Sequence, residues 1–92
     1  MIQPEDRFTA NKKKFLSSVF SDEMMLMNLE TGNYIGLNAV STDIFQLAEE
    51  ETTTDRIIES LLKKYNVEEE TCRAEVFSCI NTMIEKGLLV KV

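Results

Sequence analysis

The spacing of apolar residues along the chain changes at Asn38. Upstream, Phe15–Phe20, Met24–Leu29 and Asn33–Leu37 are short apolar runs separated by polar residues, which is typical of strands joined by turns. Downstream, apolar residues recur three or four positions apart, which predicts helices. The pattern therefore predicts an α+β fold in which a three-stranded antiparallel sheet is followed by three helices.

The order of the strands follows from the middle run, which is apolar on both faces. Such a strand is usually central in its sheet, so Phe15–Phe20 should lie on one side of Met24–Leu29 and Asn33–Leu37 on the other. Gly32 marks the turn between the last two strands. The outer edge of Asn33–Leu37 would then be unpaired, and it has no Pro or Lys to block another chain. Gly36 either allows a close backbone approach there or makes room for a core side chain.

Local signals place the three helices. Asn38 is suited to cap a helix that runs to about Glu49, because its side-chain oxygen accepts a first-turn amide hydrogen. A threonine in the polar segment that follows should cap the helix Asp55–Tyr65. The third helix, Glu69–Lys86, should end at Gly87, since glycine is common just past a helix.

The third helix has an apolar arc of about 160°, wider than the roughly 100° that packing on one side requires. One rim of this arc carries Cys72, Cys79 and Met83, bordered by Glu75 and Lys86. The rim could line a groove beside the sheet. Alternatively, the helix is wedged between the sheet and the other helices.

Composition limits the organisation of the chain. Its 92 residues, 43% of them hydrophobic, suit one domain, which we expect to cover residues 15–92 after a flexible arm, residues 1–14. Phe8 could be pinned to the sheet. We find neither a signal peptide nor an apolar run long enough for a membrane span, so we expect a cytoplasmic protein with no membrane partner.

The charge pattern argues against binding to nucleic acid. The formal net charge is −6, and residues 68–86 hold five Glu against one Arg and one Lys. A third helix of this charge would repel phosphate, which argues against the rival reading as a DNA-binding winged helix. The run Lys12–Lys14 is either solvated or in contact with an acidic partner.

Residues with catalytic or metal-binding chemistry are scarce. The chain has no histidine, no glycine-rich phosphate loop and no nucleophile beside a base, so we expect no catalytic residues, no metal site and no cofactor. Cys72 and Cys79 lie roughly 10 Å apart along one helix, too far for a disulfide. We expect them to be free thiols that pack as small apolar side chains.

The order of these features resembles the PqqD-like family, small domains that recognise the precursors of ribosomally synthesised peptide natural products. The resemblance extends from Phe15 to Val90. It rests on LETGNYIGLN leading into a capped helix, on the Ile57, Leu61 and Tyr65 spacing, and on Glu75-Val76 followed by Gly87-Leu88-Leu89. The turn of the TGxYxGLN kind is most similar to stand-alone members of lasso-peptide pathways.

The resemblance implies a winged helix-turn-helix fold that binds a peptide. In that family the precursor's leader segment adds as a strand to the third strand, and its apolar side chains enter the groove beside the third helix. The implied strand edge is Asn33, Tyr34, Ile35, Gly36 and Leu37, and the implied helix wall is Cys72, Glu75, Val76, Cys79 and Met83. This sequence has Asn28 where the lasso type usually has Asp, and Cys79 where a larger aromatic is common.

The implied partners are a leader peptide and a maturation enzyme. The enzyme would be a leader protease of a lasso pathway or, alternatively, a radical-SAM enzyme that makes a quinone cofactor or a thioether peptide. The protein itself would be a monomer or a weak homodimer. A different reading is an adaptor subunit that dimerises through the edge Tyr34–Leu37.

Overall fold

The computed structural model describes residues 2–92 and contains six strands and three helices in that range. The elements in chain order are β1 (Arg7–Ala10), β2 (Phe15–Phe20), β3 (Glu23–Asn28), β4 (Tyr34–Leu37), α1 (Ala39–Leu47), β5 (Thr52–Thr53), α2 (Thr54–Lys64), α3 (Glu69–Glu85) and β6 (Leu89–Lys91). The α+β class is confirmed, and the strands form two three-stranded sheets where one had been predicted.

The main sheet has the predicted order β2-β3-β4 and is antiparallel throughout. Its centre is β3, as expected of a strand that is apolar on both faces. The β3–β4 turn contains Gly32 at φ +76°, a left-handed conformation that glycine adopts at low cost. The inner face packs on the core through Met24 and Leu26, which are 3% and 0% exposed.

The helix ends confirm the predicted caps. The Asn38 side chain accepts from Ser41 N–H at the start of α1, and the Thr53 side chain accepts from Arg56 N–H at the start of α2. After α3, Gly87 has φ +77°. Gly87 N–H donates to Ile84 C=O at 3.0 Å and Leu88 N–H to Met83 C=O at 2.8 Å, the two bonds of a Schellman motif.

The second sheet, in the order β5-β1-β6, corrects the expectation of a loose N-terminal arm. Within residues 1–14, Arg7–Ala10 is a strand paired on both sides, and Phe8 is fully buried. The backbone amide of Ile2 donates to the Asn81 side chain of α3 at 3.1 Å. The N-terminal segment is therefore fastened to the core, because β1 pairs with two strands and its apolar residues belong to the buried cluster.

One face of the main sheet stays uncovered by residues 2–92. The core lies between its inner face and the helices, where most buried apolar residues cluster. On the outer face, Leu16, Phe20 and Tyr34 are 56%, 65% and 66% exposed. This outer face has no helix over it, because all three helices lie on the other side with the core.

Candidate functional site

The outer edge of β4 is open. In the main sheet β4 pairs only with β3, and within residues 2–92 no strand lies on its other side. The N-terminal segment pairs elsewhere, with β5 and β6. An open edge presents unpaired backbone donors and acceptors to whatever approaches it.

The hydrogen-bond pattern of the β3–β4 ladder identifies which backbone groups face outward. Asn28 N–H donates to Asn33 C=O at 2.8 Å, so this pair is hydrogen-bonded. Pairs in an antiparallel ladder alternate, which makes Leu26 and Ile35 hydrogen-bonded and leaves Tyr34 and Gly36 with their N–H and C=O groups directed away from β3. The open edge therefore offers the backbone of Tyr34 and Gly36. Asn33 lies before β4 and its carbonyl is already paired.

The side chains of β4 divide between two faces. Ile35 and Leu37 point to the helices and are half-buried and buried, whereas Tyr34 lies on the exposed outer face. A Cβ built on Gly36 would meet only the Met25 sulfur, at 4.0 Å. Among residues 2–92 neither a core side chain nor a backbone atom lies closer than this to the Cβ position, so nothing in that part of the chain requires glycine at position 36.

A buried hydroxyl fixes the C-terminal end of β4. Thr42 of α1 is 2% exposed, and its Oγ1 accepts from Met24 N–H at 2.9 Å and donates to Leu37 C=O at 3.3 Å. The hydroxyl thus stands between two backbone groups of neighbouring strands. Sequence reasoning missed Thr42, since a polar residue on a helical wheel gives no sign of which backbone groups it meets.

The third helix lies beside the junction of β4 and α1. Cys79 Sγ is 3.3 Å from Ser41 Oγ and 3.8 Å from Met83 Sδ. Of the five implied wall residues, only Glu75 is exposed and Cys79 half-buried. Cys72, Val76 and Met83 are 5%, 1% and 3% exposed and belong to the core. The accessible part of the wall is therefore narrower than the sequence implied.

A small cavity of about 80 Å³ lies next to this wall. It is lined by Val40, Leu61, Tyr65, Val67, Cys72, Glu75 and Val76. Its walls are mainly apolar, with the exposed carboxylate of Glu75 among them, and its volume suits one small apolar side chain. Val40 follows β4 by three residues, so the cavity is close to the end of the open edge. Sequence reasoning did not include Val40 or Val67 among the site residues, because an apolar residue at helical spacing indicates the core and not a cavity.

The two cysteines are free thiols, as expected. Burial, assisted by the negative charge of Glu75, raises the pKa of the Cys72 thiol above its ordinary value. Cys72 is thus protonated near pH 7 and behaves as an apolar wall residue. Among residues 2–92, no three His, Cys, Asp or Glu side chains group as a metal site would require.

Asn28 has a local structural role. Its side-chain Oδ1 accepts from the backbone amides of Glu30 at 2.8 Å and Thr31 at 3.2 Å, and so closes the β3–β4 turn. An Asp could accept the same two bonds. The presence of Asn at this position therefore leaves the open edge of β4 unaffected.

None of the helices in residues 2–92 has the length and apolar character to cross a membrane.

Comparisons with known proteins bear on this site. The chain matches the family model for coenzyme PQQ synthesis protein D (PqqD) over residues 23–89, which begins with β3 and ends at the start of β6. It is also similar to a solved structure, TbiB1 in complex with the TbiA(beta) leader peptide. The two are 28% identical with a TM-score of 0.78, and the match covers 88% of this chain and 93% of that one. The search among curated proteins found no match.

Proposed function

The chain belongs to the PqqD family, and we propose that it is a non-catalytic protein that binds the leader segment of a ribosomally made precursor peptide. It would then deliver this precursor to a maturation enzyme. The similar TbiB1 structure contains a leader peptide, which supports the same class of ligand for this chain.

The observation that carries the proposal is the open edge of β4. Peptides that add to a sheet edge obtain affinity from main-chain hydrogen bonds and specificity from pockets for alternate side chains. The outward N–H and C=O groups of Tyr34 and Gly36 supply the first requirement. The half-buried Ile35 and Cys79, together with the cavity near Val40, supply the second.

The residues of the site contribute in different ways. In the proposed complex the leader strand bonds to Tyr34 and Gly36, and its inward side chains contact Ile35 and Cys79. Leu37, Cys72, Val76 and Met83 form the buried floor, while Asn33 holds the turn at the start of the edge. Glu75 is exposed at the cavity and favours a leader residue without negative charge.

Two kinds of enzyme could receive the precursor. The TGxYxGLN turn is similar to the lasso type and favours a leader protease as partner. The family's description in terms of PQQ synthesis keeps a radical-SAM enzyme as the alternative. Co-purification of this chain with each enzyme encoded beside its gene would separate the two.

Proline substitution tests the edge. Gly36→Pro removes an outward N–H and leaves the bonds between β3 and β4 in place, because Gly36 does not donate to β3. We expect calorimetry with a synthetic leader, taken from the precursor encoded beside the gene, to show at least about tenfold weaker binding. Gly36→Ala is the matched control, since it keeps the N–H and its Cβ has room.

Unchanged binding by the proline variant would contradict strand addition. If Gly36→Pro binds the leader as tightly as the unchanged protein while remaining folded by circular dichroism, strand addition at β4 is excluded. Ile35→Pro provides a further comparison, because the Ile35 N–H faces β3 and its loss should lower the stability of the sheet itself.

A further inference from the structure

The main sheet has a second open edge, on β2. Within the described residues 2–92 this strand pairs only with β3, and Phe15–Phe20 contain neither a charge nor a proline. Five of its six residues are exposed. A long uncharged edge of this kind pairs readily with another strand. We propose that it pairs antiparallel with the β2 edge of a second copy, which joins the two main sheets into one of six strands.

The outward backbone groups of β2 fit such a pairing. Lys14 C=O accepts from Leu29 N–H at 2.9 Å, so this end of the β2–β3 ladder begins with a hydrogen-bonded position. Because pairs alternate, Ser17 and Val19 direct their N–H and C=O groups away from β3. Two copies related by a twofold axis can then exchange bonds between Ser17 of one copy and Val19 of the other.

The side chains select this register. With the twofold axis at Ser18, Leu16 of one copy lies opposite Phe20 of the other on the outer face. Both side chains are more than half exposed in the single chain, at 56% and 65%. Their contact removes apolar surface from water on both copies. Sliding one copy by two residues, the smallest shift that keeps the hydrogen-bond pattern, places Ser18 opposite Leu16 in one direction and opposite Phe20 in the other. Either shift loses the contact between Leu16 and Phe20.

Charge complementarity identifies the occupant as a second copy. The basic run Lys12–Lys14 precedes β2, and the acidic residues Asp22 and Glu23 follow it. None of these residues takes part in the ion pairs formed within residues 2–92. In an antiparallel self-pairing the basic end of each copy meets the acidic end of the other, with Lys14 near Asp22 of the β2–β3 turn. The twofold axis makes this favourable pairing occur twice.

The dimer leaves the proposed leader site free. The β4 edge lies on the opposite side of β3, so each copy could still accept a peptide strand. A contact made by one strand and a few side chains is small, so the dimer should be weak and dependent on concentration. Dimerisation and leader binding can therefore be measured separately, and either can fail without the other.

A charge exchange tests the proposal in solution. Sedimentation of the unchanged protein should reveal a monomer–dimer equilibrium. Lys14→Glu and Asp22→Lys should each weaken dimerisation about fivefold, and the double variant should restore it to within about twofold. Ser17→Pro should abolish the dimer, because it removes an outward N–H without breaking a bond to β3.

Cross-linking tests the register. In a Cys79→Ser background, Ser18→Cys places two thiols at a non-hydrogen-bonded pair, where Cα atoms are about 4.5 Å apart and a disulfide can form. Ser17→Cys is the control, since its two thiols would be diagonal neighbours at about 7–8 Å. We expect Ser18→Cys to oxidise to a covalent dimer at least about tenfold faster. A protein that stays monomeric at all concentrations, or equal cross-linking of both variants, overturns the proposal and leaves this edge to a partner of another kind.

Discussion

The thiol of Cys79 lies 3.3 Å from the hydroxyl of Ser41. This contact joins the middle of α3 to the first turn of α1, directly after β4 ends. It therefore sets how closely the helix approaches the open edge of the sheet. Changing the volume of the side chain at position 79 is therefore the simplest way to change the gap between α3 and the open edge of β4.

Cys79→Arg tests whether this gap receives a leader side chain. The larger, charged side chain should fill the space beside Ser41, next to the end of β4, and we expect leader binding to weaken at least about tenfold with the domain still folded. Calorimetry measures the affinity and circular dichroism the fold. Ala74→Arg is the matched control, because Ala74 is exposed on the same helix away from this face. Equal affinities for the two variants would exclude α3 as a wall of the site.

The features predicted correctly from the sequence depend on local signals. The strand order follows from the two apolar faces of β3, and the caps at Asn38 and Gly87 require only neighbouring residues. The second sheet was missed because its strands are two to four residues long and their partners are distant in sequence. Arg7 pairs with Thr53, and Ala10 with Leu89. Short strands of this kind have too few residues to display a period.

The sequence predicts the open strand edge, but not how deeply the residues of α3 are buried. The strand order alone indicated an open edge at β4. The helical wheel could not show that Val76 and Met83 are covered by the core. Burial depends on what packs over a face, and that information lies in tertiary contacts such as those of Thr42 and Ser41.

The Thr42 hydroxyl should contribute to the stability of β4. Thr42→Val keeps the side-chain volume but leaves Met24 N–H and Leu37 C=O without their partner in a buried position. We expect a loss of about 2 kcal/mol in the free energy of unfolding, measured by urea denaturation. Thr42→Ser retains the hydroxyl and should lose less. If Thr42→Val leaves the free energy of unfolding unchanged, the hydroxyl bridge contributes nothing beyond packing.

Two glycines with different backbone conformations should respond differently to alanine. Gly87 has φ +77° at the end of α3, where a Cβ is strained, so Gly87→Ala should lower the free energy of unfolding by about 1 kcal/mol. Gly36→Ala, in an extended strand with room for a Cβ, should change it little. Thermal or urea unfolding of both variants compares them directly. A larger effect at Gly36 would contradict the conformational explanation.

The contact between Tyr65 and Asp43 should make stability depend on alkaline pH. Tyr65 O–H donates to Asp43 Oδ2 at 2.6 Å, and this bond raises the pKa of the phenol above its usual value near 10. A group whose pKa is higher in the folded protein stabilises fully below the unfolded-state pKa, and that stabilisation disappears as the pH rises through the folded-state pKa.

Tyr65→Phe removes the titrating hydroxyl and keeps the ring. At pH 7 the variant should therefore be less stable than the unchanged protein, and the difference should shrink above about pH 10. Urea denaturation at a series of pH values from 7 to 11 measures both curves. Tyr34→Phe is the control, because that ring is 66% exposed on the outer face. A constant difference across the whole range would show that the Tyr65 hydroxyl acts only through packing and not through its bond to the Asp43 carboxylate.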